Sequence, residues 1–77
     1  MGYWNYRVMR HEGGWLAVHE VFYDAAGRPA SYSAEPTIFG VPDEDDLKGL
    51  IRNLLRAARN ARTLPMLEPS DFEGAEA

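Results

Sequence analysis

The sequence predicts an α+β fold: a three-stranded antiparallel β-meander followed by one helix packed on one face of the sheet (β-β-β-α), with a short C-terminal tail. Two observations predict it. Residues 3–10 and 15–23 are rich in aromatic and β-branched side chains and flank Gly13-Gly14, a pair that suits a tight hairpin turn. Between residues 47 and 61, apolar residues recur with the period of a helix.

Side-chain alternation assigns the residues of the two long strands to faces, if a two- or four-residue loop is centred on Gly13. The more apolar face, expected to receive the helix, then carries Trp4, Tyr6, Val8, Trp15, Ala17, His19, Val21 and Tyr23. The other face carries Tyr3, Asn5, Arg7, Met9, Leu16, Val18, Glu20 and Phe22. The two-residue loop places Arg7 directly across from Glu20, as a cross-strand ion pair.

A third strand, residues 30–35, follows a turn at residues 24–28 in which Gly27 takes the left-handed conformation. This turn would place Ser31 and Ser33 on the core face, whereas one more loop residue would place Tyr32 there. Burial of the larger apolar side chain favours Tyr32.

The helix is the strongest local signal. Asp43 is a suitable N-cap, and the acidic residues after it lie at the positive end of the helix dipole. The apolar side recurs at helical spacing through Leu47, Leu50, Ile51, Leu54, Leu55, Ala58 and Ala61. Thr63-Leu64-Pro65 ends the helix. Gly49 costs about 1 kcal/mol relative to Ala inside a helix, which suggests a close neighbour.

These elements define one domain over residues 1–65, followed by an acidic, partly disordered tail over residues 66–77. Met66, Leu67 and Phe72 are the tail residues able to dock onto the domain. With 77 residues and no cysteine, the chain must be stabilised without a disulfide or a thiolate metal site.

Composition argues against several locations and activities. The sequence contains no run of about 18 apolar residues, so no transmembrane helix is expected. The first residues lack the build of a signal peptide, which predicts a cytoplasmic protein. The only imidazoles are His11 and His19, and His19 is expected in the core, hydrogen-bonded to a tyrosine. Two imidazoles and no cysteine predict no metal site, and no cofactor is expected. No serine has an identifiable base and orienting acid, so no enzyme activity is expected.

One helix covers one side of a sheet, so the second face should remain apolar and uncovered. This open face predicts a partner-binding site formed by Arg7, Met9, Leu16, Val18, Glu20 and Phe22. The acidic cluster Asp43, Glu44, Asp45 and Asp46 would steer the chain toward a basic protein surface. Cover by the C-terminal tail and homodimerisation through the sheet are the alternatives.

Binding to DNA is a second hypothesis. Although the net charge is −4, cations follow the helix at Lys48, Arg52, Arg56 and Arg59. A sheet backed by a helix also resembles the layout of plant AP2-type and integrase N-terminal domains, which insert the sheet into the major groove. Those sheets carry several arginines, whereas glutamates oppose the arginines here. An ordinary solvated helix face explains the basic stripe more simply.

The segments YWNYRV (residues 3–8), HEVFYD (19–24), GRP (27–29) and LPMLE (64–68) resemble a group of short, stand-alone bacterial and phage proteins. In size and acidity the chain is also similar to phage-encoded anti-CRISPR proteins, which block a defence complex by occluding its DNA-binding surface. These resemblances imply a non-enzymatic protein-binding inhibitor or adaptor, with a CRISPR effector subunit as a candidate partner. The alternatives are a small DNA-binding regulator and a homodimeric structural protein.

Overall fold

The computed structural model describes residues 3–72 and confirms the α+β fold in the order β-β-β-α. Its elements are strands β1 (Trp4–Arg10), β2 (Leu16–Tyr23) and β3 (Pro29–Tyr32), a 3-10 turn (Glu44–Asp46), helix α1 (Leu47–Thr63) and a second 3-10 turn (Pro69–Phe72). The three strands form one antiparallel sheet in the order β1-β2-β3. Residues 73–77 of the predicted, partly disordered tail lie outside the described residues.

The β1-β2 hairpin differs from the predicted register by one residue. The amide of His11 donates to the carbonyl of Trp15 at 2.8 Å, so the loop between them contains Glu12, Gly13 and Gly14. Both glycines have positive φ, 90° and 89°, a conformation that glycine adopts without strain. A three-residue loop shifts the pairing, so Arg7 lies opposite His19 and not opposite Glu20. The predicted two- or four-residue loop was wrong.

Because strand side chains alternate between faces, this shift moves all of β2 to the opposite face relative to β1. We call the two observed faces the covered face and the outer face. The covered face carries Asn5, Arg7, Met9, Ala17, His19, Val21 and Tyr23. The outer face carries Trp4, Tyr6, Val8, Arg10, Leu16, Val18, Glu20 and Phe22.

The hydrophobic core lies on the covered face and is closed by residues 65–72, which we call the post-helix segment. Leu67 forms a parallel bridge with Met9, and Phe72 is only 4% exposed. The core cluster consists of Met9, Val21, Tyr23, Leu67 and Phe72. Tyr32 pairs with Val21 and packs against this cluster, which confirms the preference for Tyr32 on the core side.

The turn before β3 is organised by the side chain of Asp24. Its Oδ1 accepts hydrogen bonds from the amides of Ala26 and Arg28, at 2.9 and 3.0 Å. These bonds, chiefly that from Arg28, hold the pKa of the Asp24 carboxyl below its usual value. Gly27 has a φ of 82°, as the predicted left-handed position requires.

Helix α1 lies along the outer edge of β1, with its C-terminal half against the strand. The Asn60 Oδ1 atom accepts the Tyr6 amide at 3.2 Å, and Arg56 Nη2 donates to the Trp4 carbonyl at 2.9 Å. Further along this edge, backbone bonds from the post-helix segment reach the Val8 carbonyl and the Arg10 amide. Four of the backbone groups that β1 turns away from β2 are therefore paired, and helix α1 and the post-helix segment occupy this edge.

The C-terminal end of α1 agrees with the sequence prediction, whereas the predicted N-cap Asp43 caps the 3-10 turn before α1 and the N-cap position of α1 itself is Asp46. The Asp43 side chain accepts the Asp45 amide at 2.9 Å, and α1 ends at Thr63. The expected close neighbour of Gly49 is absent, because a Cβ placed there would meet no atom within 4 Å. Across the helix only Ala57 is buried.

Candidate protein-binding surfaces

The outer face of the sheet remains partly open. Phe39 packs on the Tyr6 ring, with centroids 5.5 Å apart, and covers the middle of β1. Trp4 and Phe22 are cross-strand partners and remain 38% and 41% exposed. Together with Leu16 and Val18 on the same face they form what we call the outer-face patch: Trp4, Leu16, Val18 and Phe22. Trp4, Leu16 and Phe22 are exposed in this patch, Val18 is half-buried, and Glu20 lies between Val18 and Phe22 on the same face.

The structure brings together part of the predicted partner-binding set. Leu16, Val18, Glu20 and Phe22 lie on the outer face, as neighbours along β2. Arg7 and Met9 were placed with them in error, because both are buried on the covered face. The physical reason is the three-residue hairpin loop, which shifts the pairing of β2 with β1 by one residue. Trp4 was missed for the same reason, since the predicted register turned it toward the helix.

Glu20 and Arg7 have separate partners on opposite faces, which corrects the predicted ion pair. Glu20 Oε2 accepts a hydrogen bond from Thr37 Oγ1 at 3.1 Å. Arg7 donates to the Tyr23 hydroxyl at 2.6 Å and to the Pro65 carbonyl at 2.7 Å. Its Nε has no partner among the described residues. Arg7 therefore links β1 to the post-helix segment and is an internal structural residue.

His19 is on the core side as predicted, with 1% of its surface exposed, but its hydrogen-bond partner is not a tyrosine. Its Nδ1 lies 2.9 Å from the Ser33 carbonyl, which can only accept, so the proton is on Nδ1. Its Nε2 lies 2.9 Å from His11 Nε2, so one of these two nitrogens donates to the other. The His11 ring stacks on Trp15 at 4.1 Å. Within residues 3–72, no group of three or more His, Cys, Asp or Glu residues could hold a metal ion.

The side chains of the predicted basic stripe on α1 are all exposed, but they differ in their contacts. Arg56 is committed to the sheet, since its guanidinium lies 4.4 Å from the centroid of the Trp4 ring and bonds the Trp4 carbonyl. Lys48, Arg52 and Arg59 remain exposed and line a shallow groove together with Ile51 and Leu55. The groove is therefore basic along its rim and partly apolar within.

The acidic cluster Asp43, Glu44, Asp45 and Asp46 is exposed at the start of α1. Asp43 also caps the 3-10 turn, which fixes the position of the cluster relative to the helix. The acidic groups thus lie at the beginning of α1, whereas the basic groups lie along its length.

The apolar side of α1 is a surface that the sequence prediction assigned to the core. Leu47, Ile51, Leu54 and Leu55 are all exposed, Leu55 at 63%. We call the exposed residues Leu47, Ile51, Leu54, Leu55, Ala58 and Ala61 the helix stripe. Its periodicity was visible in the sequence, but periodicity does not specify what the stripe packs against.

None of the described helices is both long and apolar enough to cross a membrane. Comparisons with protein-family models, curated protein sequences and solved structures found no match to this chain. The functional argument therefore depends on the surfaces described above.

Proposed function

We propose that this chain is a non-enzymatic protein-binding module, acting as an inhibitor or adaptor, and that the outer-face patch contacts its partner. The observation that carries the proposal is the exposure of Trp4 and Phe22 side by side on one sheet face. Aromatic residues at the centre of an apolar patch supply much of the binding energy in protein interfaces. Small monomers seldom expose such a patch without use.

A protein with a basic surface is the partner that the charges favour. The chain has a net charge of −4, and its acidic cluster Asp43–Asp46 is exposed. Opposite charges accelerate association and discriminate against acidic partners, so binding should weaken as salt rises. The apolar patch supplies affinity in this scheme, and the acidic residues supply orientation.

The finer form of the proposal is an anti-CRISPR-like inhibitor that occludes the nucleic-acid-binding surface of a bacterial defence complex. Such a surface is basic because it binds phosphates. An acidic domain with an apolar contact patch could compete with nucleic acid for it. This form rests on charge and on the resemblance in size and acidity to phage-encoded inhibitors.

The test is affinity capture of the tagged chain from bacterial lysate and from cells expressing CRISPR effector complexes, with and without nuclease. A stoichiometric protein partner that survives nuclease supports the proposal. Phe22→Ala should weaken capture at least tenfold, whereas Met66→Ala, which removes an exposed apolar side chain outside both the patch and helix α1, should leave capture unchanged. Equal capture by wild type and Phe22→Ala, or no protein partner at all, contradicts the proposal.

DNA binding through the exposed cations of α1 is the second candidate, favoured by the basic rim of the groove. Because Arg56 is held by Trp4, the informative variant is Arg52→Ala combined with Arg59→Ala. It should weaken duplex binding and reduce its salt dependence. A wild-type chain that causes no gel shift of a DNA duplex at low salt excludes this candidate.

A further inference from the structure

The helix stripe is a row of apolar side chains that the described residues leave exposed. Leu47, Ile51, Leu54, Ala58 and Ala61 follow one another at alternating steps of four and three residues, the spacing of a coiled-coil seam. Leu55 flanks the seam. The side of α1 that meets β1 is a different one, carrying Ala57 and Asn60. The seam is therefore free to receive another helix.

The seam changes in size along its length. Large side chains occupy its first half, Leu47, Ile51 and Leu54, and alanines occupy its second half, Ala58 and Ala61. A copy of α1 running in the opposite direction would place the large half of each helix against the small half of the other. A parallel copy would oppose leucine to leucine and leave gaps at the alanines.

The charged side chains also differ between the two ends of α1. Exposed acidic residues, Asp43–Asp46, precede the helix, whereas Arg59 and Arg62 are exposed near its C-terminal end. Antiparallel pairing brings the acidic end of each copy beside the basic end of the other. Parallel pairing would place like charges together, which lowers affinity.

We propose that α1 pairs antiparallel with α1 of a second copy of this chain, with Leu54 at the twofold axis and Leu47 of each copy beside Ala61 of the other. Size and charge complementarity select the same direction independently. The homodimer alternative considered from the sequence used the sheet, whereas this dimer uses the helix and leaves both outer-face patches free. The inference does not rest on the proposed function.

Because the chain contains no cysteine, single cysteine variants can report which residues meet. Under oxidation, Leu54→Cys should crosslink to itself. Leu47→Cys alone and Ala61→Cys alone should not crosslink, whereas their equimolar mixture, with one chain carrying a tag, should form a mixed disulfide. Asn53→Cys, exposed next to Leu54 in sequence but on the side of α1 that carries Ala57 and Asn60, is the control and should not crosslink. Self-crosslinking of Leu47→Cys, or no crosslink at Leu54→Cys, overturns the antiparallel pair.

A second measurement separates dimerisation from folding. Sedimentation equilibrium of the wild type should give a dimer mass, and Leu54→Glu should weaken the dimer at least tenfold, because it buries a charge in the seam. Asn53→Glu adds the same charge outside the seam and should have little effect. Circular dichroism should show both variants folded, and partner capture through Phe22 should persist in Leu54→Glu. A monomeric wild type at all concentrations overturns the inference.

Discussion

The post-helix segment and helix α1 make opposite contributions to the core. The segment is short and irregular, yet it supplies Leu67 and Phe72, both among the buried residues. Helix α1 has 17 residues and strong amphipathic periodicity, yet it buries only Ala57. Regular secondary structure and contribution to the core are therefore separate properties in this protein.

The difference arises from what each segment lies against. Phe72 is buried in the core cluster, where its ring centroid is 4.8 Å from that of Tyr32 on β3. Helix α1 lies along the edge of β1, where Asn60 and Arg56 bond the strand backbone and Arg56 also lies over the Trp4 ring. An edge offers backbone groups to pair but little apolar area to bury, so the helix stripe remains available.

The largest change that we expect is in the free energy of unfolding, and it distinguishes the post-helix segment from helix α1. Phe72→Ala should reduce the free energy of unfolding by about 3–5 kcal/mol, because it opens a cavity in the core. Leu55→Ala should change it by about 0.5 kcal/mol or less, because that side chain is already in water. Urea unfolding of both variants at low protein concentration measures the difference. Similar losses in the two variants would contradict the assignment of the core.

The helix itself should accept a stabilising change. Gly49→Ala should raise the free energy of unfolding by about 1 kcal/mol, because Ala has the higher helix propensity and the new Cβ meets no neighbour. Thermal unfolding of this variant beside the wild type measures the gain. A loss of stability would mean that α1 packs more closely at Gly49 than the structure shows.

Local signals predicted much of the fold. The cap at Asp43, the stop at Thr63-Leu64-Pro65 and the positive φ of Gly27 each depend on neighbouring residues, so the sequence was sufficient for them. The sheet register was not predictable in this way, because Glu12-Gly13-Gly14 can close hairpins of more than one length. That single ambiguity misplaced Arg7 and Met9 in the candidate site.

Which segment covers the sheet could not be predicted from local signals. Two apolar segments, α1 and the post-helix segment, could each have covered the sheet, and helical periodicity favoured α1. The shorter segment covers the core instead, because Leu67 pairs with β1 and Phe72 reaches the core from there. Leu16, Val18, Glu20 and Phe22 were predicted together correctly, since alternation within one strand does not depend on register.

Native-state hydrogen exchange of the wild type, read amide by amide at low protein concentration, tests the central claim most directly. The account predicts that the amides of Arg10 and Leu67, which pair β1 with the post-helix segment, exchange only through global unfolding. Amides within α1 near Leu54 should exchange faster, through local opening, and should slow as the concentration rises and dimers form. Fast exchange at Leu67 together with slow, concentration-independent exchange throughout α1 would contradict the account.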